Sequence, residues 1–308
     1  MRWLDHRAPV PEALKGAIIA LGNFDGFHAG HQAVAGEAIR WARAEERPAM
    51  IATFDPHPVR FFRPDVPPFR LTTLEQRREL YLAAGASAML VLHFGAEMAA
   101  MTPRQFVDDL LHGHLGAGGI VTGEDFTFGK GRAGNREILA ELAAAHGMQT
   151  RAVGAVEEGG ATISSSRIRE ALRQGDCETA TRLLTRPFAI RGIVEHGDKR
   201  GRTIGYPTAN LGLESYLRPQ YGIYAVTARV LATGERLKGA ANLGIRPQFE
   251  PPKELLEPYF FDFSGDLYGQ EIEVELRHFI RPEAKFDTLD ALTEQMERDC
   301  EEARRLLA

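Results

Sequence analysis

Cysteine is nearly missing: the 308 residues include two, Cys177 and Cys300, far apart and outside any CxxC spacing. That scarcity excludes a disulfide-stapled scaffold and a thiolate zinc site, and it fits a protein kept in a reducing cytoplasm. Long apolar runs are missing too. Nothing approaches the roughly 20 residues of a membrane-spanning helix, and the opening Met1-Arg2-Trp3-Leu4-Asp5-His6 lacks the apolar core of a secretory signal. Neither sign of charge dominates: 37 Lys and Arg against 42 Asp and Glu give a net −5. This excludes a general polyanion-binding surface, so a nucleic-acid partner is not expected. Low-complexity tracts and internal repeats are also absent. What remains is a chain with 44% hydrophobic residues, long enough to build two cores.

The N-terminal half is organised around Leu21-Gly22-Asn23-Phe24-Asp25-Gly26-Phe27-His28-Ala29-Gly30-His31. It follows the apolar run Ala17–Leu21, which reads as a buried parallel strand. Beyond it Val34, Ala38, Ile39 and Ala42 recur at helical spacing. The stretch is therefore a strand-to-helix turn, where free backbone N–H groups and the helix dipole attract an anion. Gly22, Gly26 and Gly30 are expected to supply positive φ and close phosphate approach, with Asn23, Phe24 and Asp25 in the same phosphate-facing loop. His28 and His31 converge there. Imidazole donors at this place suit nucleotidyl transfer, in which charge develops on an α-phosphate and on departing pyrophosphate. The alternatives are a chance pair or half of a metal site, but no Cys or carboxylate cluster follows at ligand spacing.

Strands and helices then alternate. Residues 50–54, 88–92, 119–123 and 149–153 read as strands, and 73–84, 103–112 and 135–146 as helices, with Thr102-Pro103 and Gly134-Asn135 as start signals. The pattern predicts a Rossmann-like α/β domain with a parallel sheet and ligands at the strand ends. Two strand ends stand out. Asp55-Pro56-His57-Pro58-Val59-Arg60-Phe61-Phe62 carries two prolines, expected to stop any helix, and an aromatic pair. Gly123-Glu124-Asp125-Phe126-Thr127-Phe128-Gly129 continues into a loop rich in glycine and basic residues. A planar ring could stack between such loops. Ile163-Ser164-Ser165-Ser166-Arg167 is a second helix start: plainly an N-cap, but with Arg167 one turn in also a clamp for β- and γ-phosphates.

Near residues 175–187 the pattern changes to short strands. Residues 188–194, 222–230 and 271–276, with a turn at Gly234-Glu235 between two more strands, predict a small all-β barrel. A C-terminal helix follows, its stripe of Leu289, Leu292, Met296, Cys300, Ala303 and Leu307 facing that barrel. The barrel has its own anchor, Gly197-Asp198-Lys199-Arg200-Gly201-Arg202-Thr203-Ile204-Gly205-Tyr206-Pro207-Thr208-Ala209-Asn210. It is no Walker A loop. Gly197, Gly201 and Gly205 with Lys199 and Thr203 form a basic arch able to cover phosphates. Thr208 and Asn210 alternate on an extended segment, as a hard Mg²⁺ site requires; a polar hairpin loop is the plainer alternative.

The histidine turn resembles the HxGH signature of nucleotidyltransferases. More narrowly, Gly22-Asn23-Phe24-Asp25-Gly26, Thr53-Phe54-Asp55-Pro56-His57-Pro58, Gly123–Gly129 and Ile163-Ser164-Ser165 with Arg167-Ile168-Arg169 are similar, in order, to the prokaryotic bifunctional riboflavin kinase/FAD synthetase family. The arch ending in Pro207-Thr208-Ala209-Asn210, together with Asn242–Pro247 and Phe263–Gly269, resembles its kinase half. The resemblance covers nearly the whole chain and implies residues 1–186 as an FMN adenylyltransferase domain and 187–308 as a riboflavin kinase domain. It implies ATP as co-substrate, riboflavin, FMN and FAD as substrates and products, Mg²⁺ as cofactor, and a cytoplasmic monomer or weak homo-oligomer. His28 and His31 would stabilise the α-phosphate transition state; Ser164, Ser165 and Arg167 would hold pyrophosphate; Phe62, Asp125 and Phe128 would contact the flavin. The family's general base falls on Glu257, with Glu254 as fallback. Pro258, which cannot donate to a central ladder, departs from the family's pattern and, with the approach Glu250-Pro251-Pro252-Lys253, puts the strand geometry around Glu257 in question. An enzyme with only the second activity, or a flavin sensor without catalysis, is the rival reading.

Overall fold

The computed structural model of the chain describes residues 2–196, 206–246 and 252–308. They fall into two compact units: Met1–Val66 with Thr73–Ser164, and Pro67–Thr72 with Ser165–Ala308.

In the first unit, β1 (Arg2–Asp5), β2 (Ile18–Leu21), β3 (Ala49–Asp55), β4 (Ala88–His93), β5 (Gly119–Gly123) and β6 (Gln149–Val153) form one sheet in the order β1-β4-β3-β2-β5-β6. Every neighbouring pair is parallel. Five strands are those expected; β1 is an additional edge strand bonded only to β4. All four residues of β2 are buried. Ile19 and Leu21 enter one core cluster, and Ile18 and Ala20 the other. A strand that feeds two cores must be apolar on both faces, which is why it reads as an unbroken run.

The helices α1 (Ala29–Ala44), α2 (Pro58–Phe62), α3 (Leu74–Ala84), α4 (Ala96–Ala100), α5 (Pro103–Gln105) and α6 (Arg136–Ala144) connect the strands. Residues of α1 and α3 line the core with Ile18; those of α4, α6 and the segment after α5 line the core with Ile19. Connections from β2 therefore cover one face and those leading to β5 the other, so the C-terminal end of β2 opens at a topological switch point. Two local expectations change. Pro58 does not stop a helix but starts α2 as its first residue, where a missing N–H costs nothing. The predicted helix at 103–112 begins with a Thr102–Gln105 capping box, but Phe106–His114 continues it with π-helical spacing.

The hairpin of β7 (Glu157–Glu158) and β8 (Ala161–Thr162) closes the first unit. The second unit holds α7 (Ser165–Arg173), α8 (Cys177–Leu184), β9 (Phe188–Ile193), β10 (Leu211–Gly212), β11 (Gly222–Val230), β12 (Arg236–Arg246), β13 (Lys253–Phe260), β14 (Glu271–Pro282) and α9 (Leu289–Leu306). Its sheet runs β10-β13-β12-β11-β14-β9, antiparallel throughout. The Glu195 N–H donates to the Asn210 carbonyl at 2.9 Å, joining the two ends of this order and nearly closing the barrel. The segment Pro67–Thr72 belongs here. Arg70 N–H donates to Ser215 O at 3.1 Å, Leu217 N–H to Arg70 O at 2.8 Å, and Arg169 Nε to Phe69 O at 2.9 Å.

Helix α9 packs through its C-terminal half. Ala303 and Leu307 are buried with Ala225, Ala240 and Phe261, whereas Leu289, the first residue of the expected stripe, is exposed. Midway, buried Asp299 takes Arg281 Nε at 2.8 Å and Nη2 at 2.6 Å, a two-point tie between helix and β14. Strand β13 runs unbroken through Pro258, paired with Ala241 of β12. The Pro258 carbonyl points the other way and accepts from Ala209 N–H at 2.9 Å. The missing N–H therefore falls on the β10 side and leaves the β12 ladder intact.

Candidate active sites

The chain leaves β2 into a turn with Phe24 at φ 48°, Gly26 at φ 85° and Phe27 at φ 42°. Of the three glycines expected at positive φ, only Gly26 has it. Gly22 and Gly30 are needed for space: a Cβ would lie 3.1 Å from the Phe24 ring at the first, and 3.2 Å from the His28 ring at the second. His28 ends the turn as the N-cap of α1, its Nδ1 accepting from His31 N–H at 3.3 Å. An imidazole whose Nδ1 lone pair is engaged carries its neutral-form proton on Nε2, so His28 offers a donor there. The His28 and His31 rings stack, centroids 3.5 Å apart, and Phe24 packs edge-on to His31 at 5.2 Å. Two imidazoles thus sit at a helix N-terminus and a sheet switch point, the combination that takes a phosphate.

Asn23 and Asp25 have a different setting from the one expected. The Asp25 carboxylate is buried, paired with Arg77 of α3 at 2.9 Å. Arg77 Nη1 also donates to Thr53 Oγ1 at 2.9 Å and to Asn23 O at 3.3 Å, and Thr53 Oγ1 donates to Asn23 O at 2.6 Å. Arg77 gives no signal in the sequence. A buried arginine one residue from exposed Arg78, in a charged helix, leaves no pattern to read.

At the end of α2, after β3, Phe62 is 64% exposed and forms an edge-to-face group with Phe61 and Phe94. In the loop after β5, Asp125 is exposed but Phe128 is buried. Phe128 exchanges backbone hydrogen bonds with Gly134, and a Cβ on Gly134 would lie 2.7 Å from its ring. Phe106 and Phe126 pack on it at 5.2 and 5.7 Å. Its ring packs into this cluster, and Phe126 is the loop's half-buried aromatic. Ile163 O lies 3.5 Å from the Cβ position of Gly30, which brings the approach to Ser164 beside the histidine turn. Ser165 and Arg167, next along the chain, form the first turn of α7 in the second unit.

In the barrel, Glu257 of β13 faces Asn242 of β12 in register. Asn242 Nδ2 donates to Glu257 Oε2 at 3.4 Å, and Arg246 pairs with the same oxygen. On the other side, Leu211 pairs with Leu256 and Ala209 N–H bonds Pro258 O, which sets buried Asn210 across from Glu257. Residues directly opposite in an antiparallel ladder point to one face, so Asn210, Glu257 and Asn242 form a row. Thr208, two residues before Asn210, is half-buried. Glu254 is engaged elsewhere: Arg218 donates to it through Nε and Nη2 at 2.9 and 2.7 Å, and Tyr221 also bonds to it. These bonds, Arg218's foremost, hold its carboxyl below the usual range. It is a poor base. Gly197, Lys199, Gly201, Thr203 and Gly205 of the expected arch lie outside the described residues.

Comparison with known proteins bears on both sites. A family model described as FAD synthetase matches residues 10–167, and one described as riboflavin kinase matches 184–307. The chain is 40% identical over 300 residues to the bifunctional riboflavin kinase/FMN adenylyltransferase of Escherichia coli (strain K12), covering 97% of this chain and 95% of the relative. It is 41% identical over 294 residues to the protein of that name from Bacillus subtilis (strain 168), covering 94% and 92%. Among solved structures it is similar, at TM-score 0.87, 31% identity and 98% coverage of both chains, to one titled macrolide-efflux protein from Streptococcus pneumoniae. Among the described residues no helix is long and apolar enough to cross a membrane.

Proposed function

The chain belongs to the bifunctional riboflavin kinase/FMN adenylyltransferase family, and from that premise we propose how its residues divide two reactions. Riboflavin and ATP give FMN; FMN and a second ATP give FAD and pyrophosphate. Residues 1–186 are assigned the second reaction and 187–308 the first, although helices α7 and α8 pack with the barrel.

For adenylylation, an FMN phosphate oxygen attacks the ATP α-phosphorus and pyrophosphate leaves with the bonding pair. FMN phosphate is already anionic near neutral pH, so no base is required. His28 Nε2–H and His31 stabilise charge on the α-phosphate, and the turn from Gly22 to Gly30 receives the phosphate chain. Ser164, Ser165 and Arg167 hold the departing pyrophosphate. Phe62, Asp125 and Phe128, with the neighbouring Phe126, contact the flavin.

For phosphorylation, the riboflavin 5′-hydroxyl attacks the γ-phosphorus, its proton passes to Glu257 and ADP leaves. Arg246 and Asn242 both engage Oε2 and orient the carboxylate, so Oε1 takes the proton. Among the described residues no three His, Cys, Asp or Glu side chains are grouped to hold a metal. Mg²⁺ is typically held by few protein groups together with water and nucleotide phosphates, so it needs no such cluster. Thr208 and Asn210 supply neutral oxygens. When bound, Mg²⁺ neutralises phosphate charge. Two free thiols suit the cytoplasm as the site of action.

The row Asn210–Glu257–Asn242 is the observation that carries the kinase assignment. Chromatography of flavins formed from riboflavin, ATP and Mg²⁺ tests it. Wild-type protein is expected to show FMN first and FAD later. Glu257→Gln should cut FMN formation by about 10²–10⁴-fold while still converting supplied FMN to FAD. Wild-type FMN formation by that variant would remove Glu257 as base.

A further inference from the structure

The turn that carries His28 and His31 is held from beneath by one buried side chain. Helix α3 begins with a Thr73–Gln76 capping box, which fixes its first turn. The next residue is Arg77, 2% exposed. Its guanidinium reaches three groups at once: the Asp25 carboxylate and Asn23 carbonyl of the turn, and the Thr53 hydroxyl of β3. Tyr81, one helical turn on, packs against Phe27 at 4.9 Å and Phe24 at 6.3 Å. Phe24 and Phe27 are the two non-glycine residues of the turn with left-handed φ. Such a backbone persists only where its surroundings over-determine it, and Arg77 and Tyr81 are those surroundings. His28 follows Phe27 directly.

We infer that Arg77 is a positioning residue for adenylyl transfer: with Asp25 and Thr53 it sets the turn so that His28 and His31 meet the α-phosphate, without itself touching ATP. The fork matters as well as the charge. A lysine can pair with Asp25 but cannot also bond Thr53 and the Asn23 carbonyl in a fixed plane. A displacement of about 1 Å at a reacting group costs on the order of 100-fold in rate. The inference rests on the assignment of His28 and His31 to the α-phosphate.

Three variants, Arg77→Lys, Arg77→Leu and Asp25→Asn/Arg77→Leu, test it in the full-length protein. Each is measured for kcat and KM of FAD formation from FMN and ATP, for riboflavin phosphorylation, and for melting temperature. Arg77→Lys should lose about 100-fold in kcat for FAD, with both KM values, riboflavin phosphorylation and melting temperature near wild type. Arg77→Leu should also melt lower, because buried Asp25 loses the cation it pairs with. The double variant should recover melting temperature but not kcat. Recovery of FAD formation along with stability would overturn the inference, as would wild-type kcat in Arg77→Lys or loss of both activities in every variant. His28→Asn, run in parallel, tests the histidine assignment separately: wild-type FAD formation there would sink the assignment, while the Arg77 variants report on the tie.

Discussion

Replacing Gly30 by alanine separates what helix α1 needs for stability from what its histidines need for chemistry. Gly30 is the second residue of α1 and its φ is not left-handed, so alanine fits the backbone and favours the helix by up to about 1 kcal/mol. The added methyl would lie 3.2 Å from His28 Cε1, 3.3 Å from Nδ1 and 3.5 Å from the Ile163 carbonyl. Carbon contacts settle near ~3.5–4.0 Å, so the ring must yield by a few tenths of an ångström. It has little room. One face lies on His31 at 3.5 Å, and the capping bond, at 3.3 Å, is already long. Gly30→Ala should therefore melt at or above the wild-type temperature yet lose about 10- to 100-fold in kcat for FAD formation. Steady-state kinetics of FAD formation, with riboflavin phosphorylation as internal control and a thermal melt, decide the matter. Wild-type kcat would refute the reading of Gly30 as space for His28. A fall in both activities together with the melting temperature would assign the effect to folding.

Two further outcomes follow from single contacts. His28→Asn keeps an acceptor for His31 N–H, so its stability should stay within a few tenths of a kcal/mol of wild type, while His28→Ala should cost about 1 kcal/mol; denaturant unfolding distinguishes them, and both should fail to make FAD. Burial pushes the Cys177 thiol up to about 12 and the Cys300 thiol up to about 11. Both should react slowly with a thiol reagent at pH 8, with Cys300 the faster, and rapid labelling of Cys177 in the native protein would contradict its burial. Because the folded state holds these protons more tightly, their contribution to stability is complete below pH ~9 and declines as the pH rises toward the folded values.

The sheet strands were legible because parallel strands are buried on both faces and leave apolar runs such as Ile18–Leu21. Strand β1 was not, since an edge strand of four residues with two charges makes no run. The prolines around His57 suggest a stop, whereas Pro58 is a start, because the same locked φ serves both and only position decides. Pro258 leaves the strand geometry at Glu257 open in the sequence, because a proline is harmful only toward the neighbour its missing N–H would face. The histidine turn and the Glu257 row were legible as residue types in order. Which of Phe126 and Phe128 turns inward was not, for that depends on the bridge between Phe128 and Gly134, and neither was Arg77.

The affiliation of Pro67–Thr72 has a consequence for biosynthesis. This segment is made early, yet its hydrogen-bond partners, Ser215 and Leu217, lie nearly 150 residues later in the chain. At roughly 5–20 residues per second, the segment waits on the order of 7–30 s before those partners are translated. The first unit is likewise interrupted in sequence by six residues that belong to the second. A ribosome releasing this chain therefore cannot deliver one finished unit and then start the other; the second is completed by a piece issued inside the first. A fragment beginning at residue 187 would lack that piece along with α7 and α8.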